Sequence, residues 1–313
     1  MIADQKIGIS PHRVGGFERV TGSQAYLADI PFADVLQVKL VTLPTGHARI
    51  VSVDKTAALA VPGVRPVWTA DDLPQPVPRY GPQFQDRPVL AVGETKFHGE
   101  PVAAVAADTR DAAEEAARLV QVEYEELPGV YSATQALAED APLVREIELR
   151  PEDDPYRETN VLTERVYEWG DVDSAEADLV IDETYSFPMI THFAIEPHGF
   201  VAAPEEDGIA IWSTIQHPYL LQKLMAQLLD LPLSKVRVYA PDPGGGFGGK
   251  QNIKLEPLVA LMALETGRPV RLVLTLDESF QANRRVSAEV RVRSGFTSEG
   301  ELVFEDIRSD YLL

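Results

Sequence analysis

Five glycines surround one phenylalanine in Pro243-Gly244-Gly245-Gly246-Phe247-Gly248-Gly249-Lys250-Gln251. Glycine reaches positive φ and carries no Cβ, so successive N–H groups of such a loop can form a concavity for an anionic or oxo group. A glycine-rich linker is the bland alternative. Two generic nucleotide motifs also overlay the run. Gly244 to Gln251 follows the phosphate loop G-x-x-x-x-G-K-[ST] except at its last place, where Gln251 lacks the hydroxyl that ligates Mg²⁺. Gly244, Gly246 and Gly249 follow G-x-G-x-x-G, with Asp277 at the end of the next expected strand as a candidate ribose acid. Other chemistries have weaker support. His192, Glu196 and His198 share the parity of one strand, but Pro197 interrupts it and argues against a zinc-like site. His12, His47, His98 and His217 are scattered, and neither G-x-S-x-G nor H-E-x-x-H occurs.

The elements around the loop are readable from periodicity. Ile209 to Ile215 reads as a strand. Leu220, Leu221, Leu224, Met225, Leu228 and Leu229 then recur at helical spacing up to the Asp230-Leu231-Pro232 break. Val236 to Ala240 is a second strand, followed by the glycine run, a helix over Leu255 to Thr266 closed by Gly267, and a third strand over Val270 to Leu276. The order β-α-β-loop-α-β puts the loop at the carboxyl end of a strand, where α/β folds place ligands. The helix after the loop begins several residues beyond Gly249, which places its N-terminus poorly for a pyrophosphate.

Further upstream, Leu36 to Val41, Ala48 to Val53, Val64 to Thr69, Val102 to Ala107 and Gln121 to Glu126 read as strands. Lys55 to Val61 reads as a short helix, and Thr109 to Val120 as a helix with Ala112, Ala113, Ala116, Leu119 and Val120 on one face. The fold class expected is α+β. Pro128 to Asn160, rich in Pro, Asp and Glu, reads as a linker, with Arg150 to Pro155 its least structured part. The division is thus a unit over 1–128, a linker over 129–160 and a second unit over 161–313. With 313 residues, 45% hydrophobic and 25% charged, the chain can build two cores. A net charge of −21 without a basic stripe disfavours nucleic acid. No apolar run is long enough to span a membrane, and Met1 to Ile9 lacks the pattern of a secretory signal, so cytoplasmic residence is the expectation. The absence of cysteine excludes disulfides, a thiolate nucleophile and an iron–sulfur cluster held by this chain.

Several motifs together resemble the molybdenum-binding subunit of the xanthine dehydrogenase and aldehyde oxidase family. Gly244 to Lys250 resembles its molybdopterin loop. Trp212-Ser213-Thr214-Ile215-Gln216 resembles the strand end bearing its molybdenum-facing glutamine. Arg19-Val20-Thr21-Gly22 with Ala25-Tyr26, and Gly99 to Val105, resemble its N-terminal hammerhead domain, and Glu196-Pro197-His198-Gly199 a further segment. The resemblance implies an α/β hammerhead domain followed by the first part of a mixed α/β molybdopterin-binding domain.

It also implies a site. Gly245, Gly246, Phe247, Gly248 and Gly249 would line molybdopterin, in its cytosine dinucleotide form and carrying molybdenum. Gln216 would support an oxo group on the metal, with no metal bond from the protein itself. Gln251 would face the substrate at a position where purine-oxidising relatives place a glutamate. A neutral amide there puts xanthine specificity in doubt and leaves aldehydes and aromatic N-heterocycles open. Arg285-Val286-Ser287 also departs from the Arg-His-Pro of many relatives. The reaction implied is oxidation of an electron-poor carbon with water-derived oxygen, electrons passing to [2Fe-2S] and FAD on partner subunits. The general base would lie beyond Leu313, in the remaining molybdenum-subunit region or in a second chain. Two other classes stay open: an NAD-binding dehydrogenase using the glycine loop, and a non-catalytic assembly or interaction fragment.

Overall fold

The computed structural model describes residues 8, 10–81 and 84–312. The segment Met1 to Ile9, Gly8 apart, and Leu313 lie outside the described residues. Strands Leu36–Thr42 (β1), Ala48–Asp54 (β2), Val64–Trp68 (β3), Pro101–Ala107 (β4) and Gln121–Glu126 (β5) form the first region, with helices Thr56–Leu59 (α1) and Arg110–Leu119 (α2). The second region holds strands Leu179–Phe187 (β6), Gly199–Glu205 (β7), Gly208–Ser213 (β8), Val236–Tyr239 (β9), Val270–Val273 (β10), Ser287–Phe296 (β11) and Leu302–Leu312 (β12). Its helices are Pro218–Leu228 (α3), Glu256–Thr266 (α4) and Leu276–Ala282 (α5). The mixed α/β class is as expected.

Both regions contribute to one seven-stranded sheet in the order β9-β8-β7-β10-β1-β4-β3. The seam is the parallel pairing of β1 with β10, Leu36 opposite Val270 and Gln37 opposite Arg271. Every residue of β4 is buried, because the strand is covered on both faces. Ala103 and Val105 join the cluster of Ala58, Val67 and Ala116 beneath α2, whereas Ala104 and Ala106 join the large cluster that includes Leu258 and Met262 of α4. Alanines at successive positions let elements close in from both sides. Helix α2 starts where Thr109 Oγ1 accepts the Ala112 N–H at 3.2 Å, a side-chain N-cap.

The helix expected over Leu255 to Thr266 is present as α4. Seven of its eleven residues are buried, so it sits against β7 and β8 as a largely internal helix, exposed only toward its C-terminal end at Leu264 and Glu265. Burying Leu258 and Met262 completely contributes about 1.5–3 kcal/mol each. The expected strand Val270 to Leu276 stops at Val273. Thr275 Oγ1 accepts the Glu278 N–H at 3.2 Å and Glu278 Oε2 accepts the Thr275 N–H at 2.7 Å, a capping box that starts α5 in place of more strand. The stretch from Arg150 to Pro155, expected to be the loosest of the chain, is tied down. The buried Arg150 guanidinium binds Asp154, the Thr159 carbonyl at 2.9 Å and the Val161 carbonyl at 2.8 Å. A lone arginine among acids and prolines gives no sign that it will fold inward.

Beyond the main sheet, β6, β11 and β12 form a separate antiparallel sheet in the order β12-β11-β6. Its outer strands carry exposed Val180, Tyr185, Phe187, Ile307 and Tyr311.

Candidate functional site

The glycine loop leaves β9 and crosses the ends of β7 and β8. Four side chains fix it. Glu196, just before β7, places Oε2 2.8 Å from the Gly244 N–H and 2.8 Å from Lys250 Nζ, so one carboxylate oxygen clips the first glycine and the lysine that ends the loop. Gln216, beyond the end of β8, grips Lys250 at two points: its own N–H donates to the Lys250 carbonyl at 2.6 Å, and its Oε1 accepts the Lys250 N–H at 3.1 Å. Lys254 Nζ donates to the Gly249 carbonyl at 2.8 Å, and His198 Nε2 lies 3.3 Å from the same oxygen. Within the loop, the Gly249 N–H donates to the Gly246 carbonyl at 2.7 Å.

These contacts turn the Gly249 carbonyl inward and leave donors over. Gly245, Gly246, Phe247 and Gly248 donate to no acceptor among the described residues. The orientation of the Gln216 amide follows from chemistry: a backbone N–H can only donate, so the oxygen faces Lys250 and the NH₂ group is left without an acceptor among the described residues. Glycine is required by geometry at two points. A Cβ on Gly246 would stand 2.7 Å from the Gln216 amide carbon, and Gly245 has a φ of 111°. Phe247 takes a left-handed conformation, φ 51°, and is 74% exposed as a residue. A bulky residue held there stores backbone strain, which functional loops tolerate.

The floor of the loop is charged and buried. Lys250, Lys254 and Glu256 have 2%, 4% and 1% exposure. Glu256 accepts the Lys254 N–H at 2.7 Å and the Ser213 hydroxyl at 2.8 Å, linking the loop floor to β8. Burial pushes Lys254 down to about 8 and His198 down to about 3. Lys250 is lowered by the same cause, with the Glu196 carboxylate opposing it. His192 is also lowered by burial, and its Nδ1 sits 2.8 Å from Asn283 Nδ2.

Of the residues singled out by sequence, Gln216 and Gly246 are in direct proximity, while Gln251 follows Lys250 as an exposed side chain. Of the trio raised for zinc, Glu196 commits one carboxylate oxygen to Lys250 and Gly244, and His192 pairs with Asn283. Asp277 lies in the first turn of α5 rather than at a strand end, which removes the ribose acid from a dinucleotide site. Sequence reasoning missed the roles of Lys254 and Glu256. Two charges embedded in the apolar run from Ile253 to Ala263 were the available signal.

A loop of free N–H donors, an unpartnered amide and a glycine packed on that amide form a cradle for a polar, oxygen-bearing group. The family whose model describes a molybdopterin cofactor-binding domain matches residues 154–309, and that of the aldehyde oxidase and xanthine dehydrogenase a/b hammerhead domain matches 21–128. The chain is 33% identical over 302 residues to the nicotinate dehydrogenase large molybdopterin subunit of Eubacterium barkeri, covering 95% of this chain and 68% of that one. The chain belongs to the xanthine dehydrogenase and aldehyde oxidase family. It is also 34% identical over 300 residues to a probable xanthine dehydrogenase subunit of Bacillus subtilis, covering 95% of this chain and 39% of that protein. Among solved structures, quinoline 2-oxidoreductase from Pseudomonas putida 86 superposes with a TM-score of 0.81 at 31% identity, over 96% of this chain and 39% of its own. The chain therefore spans well under half the length of two of these three family members.

Proposed function

We propose that this chain forms the molybdopterin-holding part of a molybdenum hydroxylase that oxidises an aldehyde or an aromatic N-heterocycle at an electron-poor carbon. The observation that carries the reading is the set of unpaired donors on the loop, Gly245 to Gly248, beside the free amide of Gln216. These residues fit the group that the family implies. Gly245 to Gly248 would bind the cofactor through backbone N–H groups that have no acceptor among the described residues, and Gln216 would donate a neutral hydrogen bond to an oxygen on the metal without adding charge. The bound group supplies two-electron redox chemistry and a water-derived oxygen. Lys250, clamped by Glu196 and Gln216, keeps the loop in one conformation, so the donors are in place before the cofactor arrives. The buried charges of the floor hold the loop from below.

Gln251 is assigned to the substrate side, where a neutral amide both donates and accepts and disfavours purines that need a carboxylate partner. The cytosine dinucleotide form of the cofactor, electron transfer to [2Fe-2S] and FAD on partner subunits, a general base outside this chain and cytoplasmic residence belong to the same proposal. So does the division into 1–128, 129–160 and 161–313. No helix among the described residues is long and apolar enough to cross a membrane, and the lack of cysteine leaves any iron–sulfur cluster to be held outside these 313 residues. The test is mass-spectrometric analysis of small molecules released from the complex that this chain forms in its host. A pterin dinucleotide supports the proposal; NAD in its place, with saturable NAD binding lost in Gly246→Val, would sink it.

A further inference from the structure

The separate sheet of β6, β11 and β12 sorts its side chains by chemistry. Directly opposed residues of an antiparallel ladder point to the same side, so the register decides which face each one occupies. Phe187, Ala288 and Tyr311 form one row, and Tyr185, Val290 and Ser309 the next. Glu183, Val292 and Ile307 form the third, and Ile181, Ser294 and Glu305 the fourth. The alternate rows carry Glu289 with Asp310, Arg291 with Arg308, and Arg293 with Asp182 and Asp306. One face is therefore largely apolar and the other charged, the pattern of a sheet that packs on one side and meets water on the other. The charged face is paired within itself: Arg291 binds Asp182 at 2.6 Å and Arg308 binds Asp310 at 3.1 Å.

The apolar face is left to solvent. Ile181, Tyr185, Phe187, Ile307 and Tyr311 are between 44% and 60% exposed, and a contiguous apolar patch of this kind marks an interaction surface. Its charge narrows what can sit on it. The four rows contain the carboxylates of Glu183 and Glu305 but no Lys, Arg or His. Neither acid has an ion-pair partner among the described residues, and Glu305 Oε1 lies 3.5 Å from the Ser294 hydroxyl. A second copy docked by the same face would set carboxylate against carboxylate, and an anionic lipid surface would meet the same repulsion. The complementary occupant is apolar and brings a cation.

The length of the relatives says where such a surface comes from. Quinoline 2-oxidoreductase superposes on 96% of this chain with 39% of its own length, and the Bacillus subtilis relative matches over 39% of its length. More than half of each lies outside the matched fold. We infer that the apolar face of β6, β11 and β12 is the docking surface for that remaining molybdenum-subunit region, which sets apolar side chains and a Lys or Arg against Glu183 and Glu305. The inference rests on the molybdenum reading above and deepens it by naming where this chain is joined by the rest of its subunit.

The test uses the complex that this chain forms in its native host, purified through a tag on this chain. Hydroxyl-radical labelling read by mass spectrometry should leave Tyr185, Phe187, Ile307 and Tyr311 almost unmodified in the folded complex and reactive after urea unfolding. With p-benzoylphenylalanine in place of Tyr185, photo-cross-links should form to peptides that align with the part of the Bacillus subtilis relative outside the match. Labelling at the level of the unfolded protein would overturn the inference. So would cross-links to a second copy of this chain, to an iron–sulfur or flavin chain, or to lipid. Molybdenum measured on the same sample separates the two levels. Molybdenum present with an open face sinks the docking surface alone, whereas its absence sinks the reading on which the inference rests.

Discussion

Beneath α2 the chain buries methyl groups; beneath the glycine loop it buries charge. The first region packs Ala103, Val105, Ala116 and Val120 with no ionisable side chain in the cluster. The second places Glu196, Lys250, Lys254, Glu256 and His198 in or near the interior, each committed to the backbone or to one of the others. Apolar packing stabilises whatever conformation is compact. Paired buried charges stabilise little overall, because desolvation offsets most of their attraction, but they penalise every arrangement that separates them. The sheet supplies stability, and the loop floor specifies one loop geometry.

The sharpest way to break this contrast is to remove one partner. Lys250→Ala leaves the Glu196 carboxylate buried without its countercharge and is expected to destabilise by about 3–5 kcal/mol. Urea unfolding of this variant beside Glu196→Leu/Lys250→Met should show most of the loss recovered in the double variant. If the single and double variants lose the same amount, the pair is not acting as a charge clamp.

Packing errors in the alanine strand should behave differently. Ala103→Val adds two methyl groups at a fully buried position beneath α2 and is expected to cost about 1–3 kcal/mol, with the same loss at acidic and neutral pH. A loss that depends on pH would contradict the purely apolar character of that region.

The pH response belongs to the loop floor. His198 has a folded pKa of about 3 against an ordinary 6.5, so the unfolded chain binds the extra proton first. The stability tied to its neutral form is present above the ordinary value and is lost as pH falls below it. Between pH 6.5 and about pH 5 the expected loss is about 1.5–2 kcal/mol from this group, and His198→Gln should flatten that limb of the stability profile. Lys254 acts in the alkaline range: with a folded pKa of about 8 against 10.5, stability should rise with pH across that window. An acid limb unchanged in His198→Gln would show that the carboxylates alone set it.

The smallest effect expected is at the start of α5. Thr275→Ala removes the cap and should cost about 1 kcal/mol, read as a shift in the denaturation midpoint. A change below the error of that measurement would mean that Glu278 alone starts the helix.

Much of the fold was legible because it is local. The strand Pro101–Ala107 and the helices after Thr109 and around Met225 announce themselves through caps and periodicity. The loop announced itself through its glycines. What could not be read is long-range or hidden by composition. The clamp on Lys250 comes from Glu196 and Gln216, 54 and 34 residues away, and no spacing rule connects them. The seam between β1 and β10 joins residues more than two hundred positions apart. Thr275 to Glu278 holds a capping box that was present in the sequence and was overrun by the apolar strand pattern before it. Arg150 was concealed by its acidic, proline-rich setting, although its guanidinium organises that segment.

The central claim is that Gly245 to Gly249, with Gln216, hold a molybdenum cofactor. Its most direct test is elemental analysis of the complex purified through a tag on this chain from its native host, wild type beside Gly246→Val. A valine there would collide with the Gln216 amide, 2.7 Å from the first carbon of its side chain. The expected result is near-stoichiometric molybdenum per copy in the wild type and a large loss in the variant, with the partner chains still bound. Wild-type complex without molybdenum, or a variant that retains it in full, would contradict the account.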